Sequence, residues 1–383
     1  MKNKIIFFDS YSDASGGAPK SMLVLASLLQ EKNYNVTIIT SKNGKLIELA
    51  NKNNINCKSS DIPQHLMKRR SSIKKNLFSP FLYFIYLLKF WLSITLGKKK
   101  RLFLANYFCI NDIRCFLLYL PILLLNKDKI IWYVRINDRV KIITKIAIKL
   151  SRKIVLVSDS CYSLFTSQEI RKYGNKIETI YTGFDIPLLK KNSYCTDKNS
   201  ITISFIGVIS RRKNIELLIN SISLLSTEIR DRVIINVIGC CKDDDTSYLA
   251  EIKEKITKLN LTNSFKFWGH QHDLEPFYLK SDFVILTSYQ EGLPRVILEA
   301  LSYGLYCVST NVDGINEIIT NNTLGSILKK YDPKELAERI KITIDNIELI
   351  NSEDNINIRK QYIQKKFSKD IFVSKFISCL KSI

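Results

Sequence analysis

The sequence predicts an α/β protein of two domains, each built on a parallel β-sheet, and three observations carry that expectation. The chain has 383 residues, more than a single core usually supports. Short apolar runs of strand type alternate with helical apolar spacing along its length, which is the pattern of repeated βαβ units. A polar stretch, Lys190-Lys191-Asn192-Ser193-Tyr194-Cys195-Thr196-Asp197-Lys198-Asn199-Ser200, separates the two series and reads as a linker.

In the first half, Lys4-Ile5-Ile6-Phe7-Phe8-Asp9 reads as an opening strand, its apolar run closed by aspartate. Ser15-Gly16-Gly17-Ala18 then leads into a helix from Pro19 to Gln30. Two adjacent glycines let a backbone approach a phosphate closely, although any tight turn uses such a pair. Further strands are expected at Asn35–Thr40, Arg101–Ala105, Lys129–Arg135, Lys153–Val157 and Lys176–Tyr181. The second half is expected to place strands at Ile201–Gly207, Arg232–Gly239, Ser264–Trp268, Phe283–Leu286, Leu305–Val308 and Leu324–Leu328. The first of these ends in glycine and is followed by Arg211-Arg212-Lys213-Asn214 and an amphipathic run from Ile215 to Leu225. That basic cluster falls in a strand-to-helix loop, at the edge where open α/β sheets bind ligands. Ile356 to Ile383 again has helical apolar spacing.

The segment Ser288-Tyr289-Gln290-Glu291-Gly292-Leu293-Pro294-Arg295-Val296-Ile297-Leu298-Glu299 carries the chemistry. Gly292 and Pro294 punctuate the chain after a buried-strand run, and Val296-Ile297-Leu298 opens a helical pattern. Glu291 therefore stands in the turn before a helix, Glu299 more than a turn inside it, and the free N–H groups of the helix start lie between them. Such an anion site flanked by two carboxylates matches a nucleotide diphosphate-sugar, which carries hydroxyls at both ends and a diphosphate in the middle. Two glutamates at this spacing on a solvated helix face are the bland alternative.

Taken in order, these motifs make the chain resemble the retaining nucleotide-sugar glycosyltransferases of family 4. The resemblance covers nearly the whole chain. It runs through Gly16-Gly17, Thr179-Ile180-Tyr181-Thr182-Gly183-Phe184-Asp185, Phe205-Ile206-Gly207 with Lys213-Asn214, Phe267-Trp268-Gly269-His270, Ser288 to Glu299, Tyr303-Gly304 and Asp313-Gly314-Ile315-Asn316-Glu317-Ile318-Ile319. It implies the GT-B fold, two Rossmann-like doubly wound domains facing each other across a cleft. The implied acceptor domain spans residues 1–188, rejoined by a returning segment 356–383, and the implied donor domain spans 189–355.

The resemblance also assigns roles. Glu291 falls near the transferred sugar, Gly292, Leu293 and Pro294 at the diphosphate, Glu299 on the ribose, and Lys213 against the leaving diphosphate. Gly17, beside Gly16, faces the diphosphate from the other domain, while Gly207 and Gly269 border the donor. The family's usual arginine after the first glycine is Val208 here, so Arg211 or Arg212 is expected to supply the second cation. A histidine common near the end of a first-domain strand is also missing, which leaves Arg135 or Asn137 on the acceptor side. The implied reaction moves a sugar from a UDP- or GDP-linked donor with retained configuration and without a metal or other cofactor. The acceptor is expected to be a lipid-linked oligosaccharide or glycolipid of bacterial capsule, O-antigen or exopolysaccharide assembly. A sugar-nucleotide epimerase or a non-catalytic sugar-nucleotide binder of the same fold is the alternative.

Charge is uneven. Residues 1–195 carry 33 Lys+Arg against 12 Asp+Glu, a net of +21, whereas the remainder carries 25 against 24, a net of +1. No acidic residue occurs between Asp61 and Asp112, where Lys68-Arg69-Arg70, Lys74-Lys75 and Lys98-Lys99-Lys100-Arg101 surround the apolar run Phe78 to Leu96. Two readings stay open for that run, a buried helix or peripheral docking on an anionic membrane. Pro80 and Lys89 argue against a span. No nucleic-acid reading motif accompanies the basic half, so nucleic acid is not an expected partner. Asp243-Asp244-Asp245 precedes a helix, where acids complement the helix dipole, and reads as structural. His270 and His272 lack further ligands at zinc spacing. Nine scattered cysteines without a Cys-x-x-Cys motif, and an N-terminal apolar run too short for a signal peptide, point to the cytoplasm, peripheral on the inner membrane face.

Overall fold

The computed structural model describes residues 3–12, 17–67, 79–96, 103–135, 137, 139–184, 200–241 and 246–383. The chain forms two compact units, Met1–Gly183 with Lys369–Ile383, and Phe184–Ser368.

The first unit holds β1 (Lys4–Phe8), β2 (Asn35–Thr40), β3 (Asn56–Ser59), β4 (Tyr107–Ile110), β5 (Ile130–Val134), β6 (Lys153–Leu156) and β7 (Ile177–Thr179). They make one sheet in the order β3-β2-β1-β4-β5-β6-β7, with every neighbour parallel. Its central strands read as unbroken apolar runs because helices cover both faces, and Ile5 to Phe8 and Ile130 to Ile131 have no exposed surface. Ile5 is flanked by Val36 of β2 and Tyr107 of β4, so the strand order reverses at β1.

Two expectations for this unit need correction. The strand expected at Arg101–Ala105 is instead β4, because Tyr107-Phe108-Cys109-Ile110 is the run that finds partners on both sides, whereas Leu104 is exposed. Edge strand β3 lies outside the strands expected from sequence; three of the four residues Asn56-Cys57-Lys58-Ser59 are polar and it has a neighbour on one side only, so it carries no apolar signal.

The second unit holds β8 (Ile201–Ile206), β9 (Val233–Ile238), β10 (Phe265–Gly269), β11 (Phe283–Leu286), β12 (Tyr306–Ser309) and β13 (Gly325–Ile327). They form a parallel sheet in the order β10-β9-β8-β11-β12-β13, with the reversal between β8 and β11. Ile203, Phe205, Ile235, Val237 and Phe283 meet Leu218 and Ile222 of the helix Ile215–Ser223 in one core. Both sheets are thus doubly wound and parallel, as the sequence predicts.

The segment that returns to the first unit is Lys369–Ile383, shorter than 356–383. The preceding helix, Glu353–Phe367, stays with the second unit because it packs on the helix Arg295–Ser302 and is anchored by Arg359. That guanidinium is 1% exposed and donates to three backbone carbonyls, from Nε to Thr323 at 2.7 Å, Nη1 to Gly304 at 2.9 Å and Nη2 to Ile350 at 2.7 Å. The linker reading and the Asp243-Asp244-Asp245 reading fall on residues outside those described, apart from Ser200.

Candidate functional site

The basic loop and the glutamate turn meet at the reversal of the second sheet. β8 ends at Ile206, Gly207 turns with φ +155°, and the chain continues into a 3-10 turn at Arg211–Lys213. β11 ends at Leu286, and the next six residues run alongside that turn. Thr287 Oγ1 donates to the Lys213 carbonyl at 2.9 Å, and the Tyr289 N–H donates to the Arg212 carbonyl at 2.9 Å. Arg212 Nη1 also donates to the Gln290 carbonyl. These bonds fix the two loops to each other, so the charged side chains on them are held rather than floating.

Glu291 is the centre of the cluster. Its Oε1 accepts from Lys213 Nζ at 2.7 Å and from Arg212 Nη1 at 3.1 Å, with Glu291 and Lys213 side chains each 13% exposed. Burial pulls the Glu291 carboxyl upward, but the Lys213 and Arg212 charges outweigh it and hold the group below its ordinary value. Glu291 is therefore an ionised, acceptor-only group at neutral pH, suited to receive hydroxyl protons of a sugar. Two cations against one carboxylate leave a net positive charge beside the helix Arg295–Ser302, which starts after Pro294 and has no side-chain cap. Gly292, Leu293 and Pro294 form the turn between them.

Glu299 lies one helical step inside. It accepts from Tyr278 Oη at 2.9 Å and from Arg295 Nη2 at 3.2 Å. Burial, and then the Glu299 charge, push the Tyr278 hydroxyl well above its ordinary value, so it remains a donor to that carboxylate. Arg211 points elsewhere, pairing with Glu251 at 2.7 Å and lying over Tyr248. Of the two arginines, Arg212 is the one at Glu291. Gly269 ends β10 with φ +63° and open space where a Cβ would stand, and its carbonyl accepts from the Gly239 N–H at 2.8 Å. Gly17 opens the helix Gly17–Glu31 of the first unit; Gly16 lies outside the described residues.

Gly239, Tyr278 and Arg295 were not singled out from sequence. Arg295 had a signal, its spacing of four to Glu299 on one helix face. Gly239 has a steric reason that only the packing reveals. It adopts φ +144°, and a Cβ there would stand 1.9 Å from the Gly207 carbonyl oxygen. Gly239→Ala is therefore expected to displace the Gly207 turn that carries Lys213, costing about 2–3 kcal/mol of stability. Thermal unfolding of the variant measures it.

The first unit gathers polar groups at its own sheet reversal. Arg135 Nε donates to Asn111 Oδ1 at 2.6 Å, and Asn111 Nδ2 donates to Asp9 Oδ2 at 2.7 Å. Asn137 Nδ2 donates to Ser163 Oγ at 2.6 Å. Burial pushes the Asp9 carboxyl up to about 7, and the Asp112 charge adds to it. A raised carboxyl favours the fold when protonated. That contribution is fully present below the unfolded value near 3.8 and is lost as pH rises through about 7. Asp9→Asn is expected to remove this slope, so urea unfolding at pH 8 should find the variant the more stable, with the gap closing toward pH 4.

Residues 189–361 match the family described as glycosyl transferases group 1. This bears out the resemblance read from the motifs. An uncharacterized 41.2 kDa protein of the Klebsiella pneumoniae cps region is 22% identical over 59% of this chain and 61% of its own length. The capsular polysaccharide biosynthesis glycosyltransferase CapH of Staphylococcus aureus is 25% identical over 62% of this chain and 64% of its own. The matches thus span somewhat under two thirds of each. Among solved structures, Anabaena HepE in complex with UDP and glucose superposes with a TM-score of 0.79 at 17% identity, covering all of both chains. That likeness is one of fold, and it is the GT-B fold.

Proposed function

We propose that this chain is a retaining, metal-independent glycosyltransferase that moves a sugar from a nucleotide diphosphate donor to a lipid-linked glycan in bacterial surface-polysaccharide assembly. The observation that carries the reading is the Lys213–Glu291–Arg212 cluster at the sheet reversal, its Lys213–Glu291 pair largely shielded and Arg212 half exposed, next to an uncapped helix start. In the reaction, the bond from the anomeric carbon to the diphosphate breaks, one to the acceptor hydroxyl oxygen forms, and the hydroxyl proton passes to the departing diphosphate. Charge grows on the departing diphosphate. Lys213, Arg212 and the N–H groups following Gly292 are placed to offset it without reorganising. Glu291 orients the sugar hydroxyls, and Glu299, held by Tyr278 and Arg295, takes the ribose.

A neighbour of the same fold solved with UDP and glucose supports a uridine donor, with GDP the second choice. CapH supports the capsule context. The basic first half suits an acceptor carried on an anionic lipid at the inner face of the membrane, with peripheral contact there. The test incubates the protein with radiolabelled UDP- and GDP-sugars and bacterial membrane extract. Label is expected in the lipid fraction from one donor class; interconversion of the donor sugar without any acceptor would establish an epimerase instead.

A further inference from the structure

The helix Ser79–Thr95 has two apolar faces, and among the described residues only one of them is packed inside the first unit. Leu87, Phe90 and Ile94 turn inward, at 4%, 3% and 0% exposure. The indole of Trp91 clamps this side by donating to the Leu117 and Leu118 carbonyls at 3.2 and 3.0 Å. On the opposite face, Phe81, Phe84, Leu88 and Leu92 follow one another at steps of three and four, which aligns them in a single stripe. They are 66%, 52%, 39% and 57% exposed. The adjoining helix Leu120–Leu124 packs against this one and ends with Leu124 and Leu125, 54% and 79% exposed. Single exposed apolar residues are ordinary, but a stripe of four large ones with more beside it marks a contact surface.

Charge identifies what covers it. Lys89 is the only charged residue within the helix, while residues 62–111 hold ten Lys+Arg and no Asp or Glu. Nine of those ten cations fall in the sequence flanks, at Lys68-Arg69-Arg70, Lys74-Lys75 and Lys98-Lys99-Lys100-Arg101. A second copy of the same stripe would bring like-charged flanks together. An anionic lipid surface offers an apolar layer for the stripe and negative headgroups for the flanks. The helix is not a span. At 17 residues it is roughly 26 Å long, its inner face is already buried, and among the described residues no helix is long and apolar enough to cross a membrane.

We infer that the outer face of Ser79–Thr95 lies in the plane of an anionic bilayer, with Phe81, Phe84, Leu88 and Leu92 inserted at the headgroup boundary. This deepens the membrane part of the proposed function, and of the two readings the sequence left open it assigns burial to one side of the helix and docking to the other. Docked this way, the first unit would be held where a lipid-linked acceptor emerges.

The test is sedimentation of the whole protein with vesicles of phosphatidylcholine, with and without 30 mol% phosphatidylglycerol. Wild type is expected to bind the anionic vesicles and to be released as salt rises. A fourfold variant, Phe81→Gln, Phe84→Gln, Leu88→Gln and Leu92→Gln, is expected to bind at least tenfold more weakly with an unchanged melting temperature. Wild type left in the supernatant, equal binding by the variant, or a wild-type dimer that the variant converts to monomer would each overturn the inference. If the variant melts early, Phe84→Gln alone serves, with a weaker but measurable loss expected and no loss overturning. UDP titration of the same samples separates the two ideas: vesicle binding without nucleotide binding would count against the transferase reading, and the reverse against the docking face.

Discussion

Under the proposed function, Lys213→Met is expected to lower turnover at saturating donor by about 10²–10³-fold, the range typical for removing one preorganised charge from a developing anion. The expectation follows from position. Lys213 Nζ sits 2.7 Å from Glu291, largely buried, at the reversal of the second sheet. Its donors not used by Glu291 remain for a phosphate oxygen. The effect should fall on kcat more than on KM, because the diphosphate gains its full charge only as the sugar leaves. Stability must be followed separately, since the substitution leaves the Glu291 carboxylate with Arg212 as its one remaining cation of the pair. Combining Lys213→Met with Glu291→Gln should restore the melting temperature without restoring turnover. Arg211→Met is the control: that side chain is 66% exposed and paired to Glu251, so activity should stay within about twofold. A Lys213→Met enzyme of wild-type kcat would leave the cluster with a structural role only.

The largest stability effect is expected from Arg359→Leu. Three carbonyls, the buried one of Gly304 and the part-buried ones of Thr323 and Ile350, accept hydrogen bonds from this one guanidinium. Removing it strands them, at about 1–3 kcal/mol for each acceptor left unsatisfied, so a total loss of about 3–5 kcal/mol is expected after partial rehydration. That is a large share of the roughly 5–15 kcal/mol that holds a domain folded. Burial also lowers the Arg359 guanidinium to about 10, yet it remains charged at neutral pH. Arg359→Lys should recover part of the loss, because an ammonium lacks the fixed fork that spans three directions. Guanidinium unfolding of the second unit gives the number, and an unchanged midpoint would contradict the role.

The fold was legible because its strands are buried on both faces. Asn35–Thr40 and Phe283–Leu286 appear at the residues their apolar runs predict. Where burial is one-sided, the signal fails, as at edge strand β3. Where two apolar runs adjoin, composition cannot choose, and the hydrogen-bond partners at Lys4 and Ile130 select Tyr107–Ile110 over the run before it. In the candidate site, Glu291 and Glu299 stand out through their spacing and turn chemistry, while the basic loop is legible as a cluster and Lys213 is singled out within it by the family resemblance. The choice of Arg212 over Arg211 does not, because both sit in the same short turn and only the neighbouring Gln290 carbonyl and Glu251 carboxylate separate them. Gly239 was invisible for a related reason. Its requirement is a close approach to Gly207 across adjacent strands, 32 residues away in sequence.

The central claim is that the Lys213–Glu291 cluster holds the diphosphate of a nucleotide donor, and titration of UDP and GDP against uridine and guanosine tests it most directly. Wild type is expected to bind one diphosphate at least tenfold more tightly than its nucleoside, and Lys213→Met to erase most of that preference while keeping nucleoside affinity. Equal affinity for diphosphate and nucleoside in wild type, or a preference untouched in Lys213→Met, would contradict the assignment.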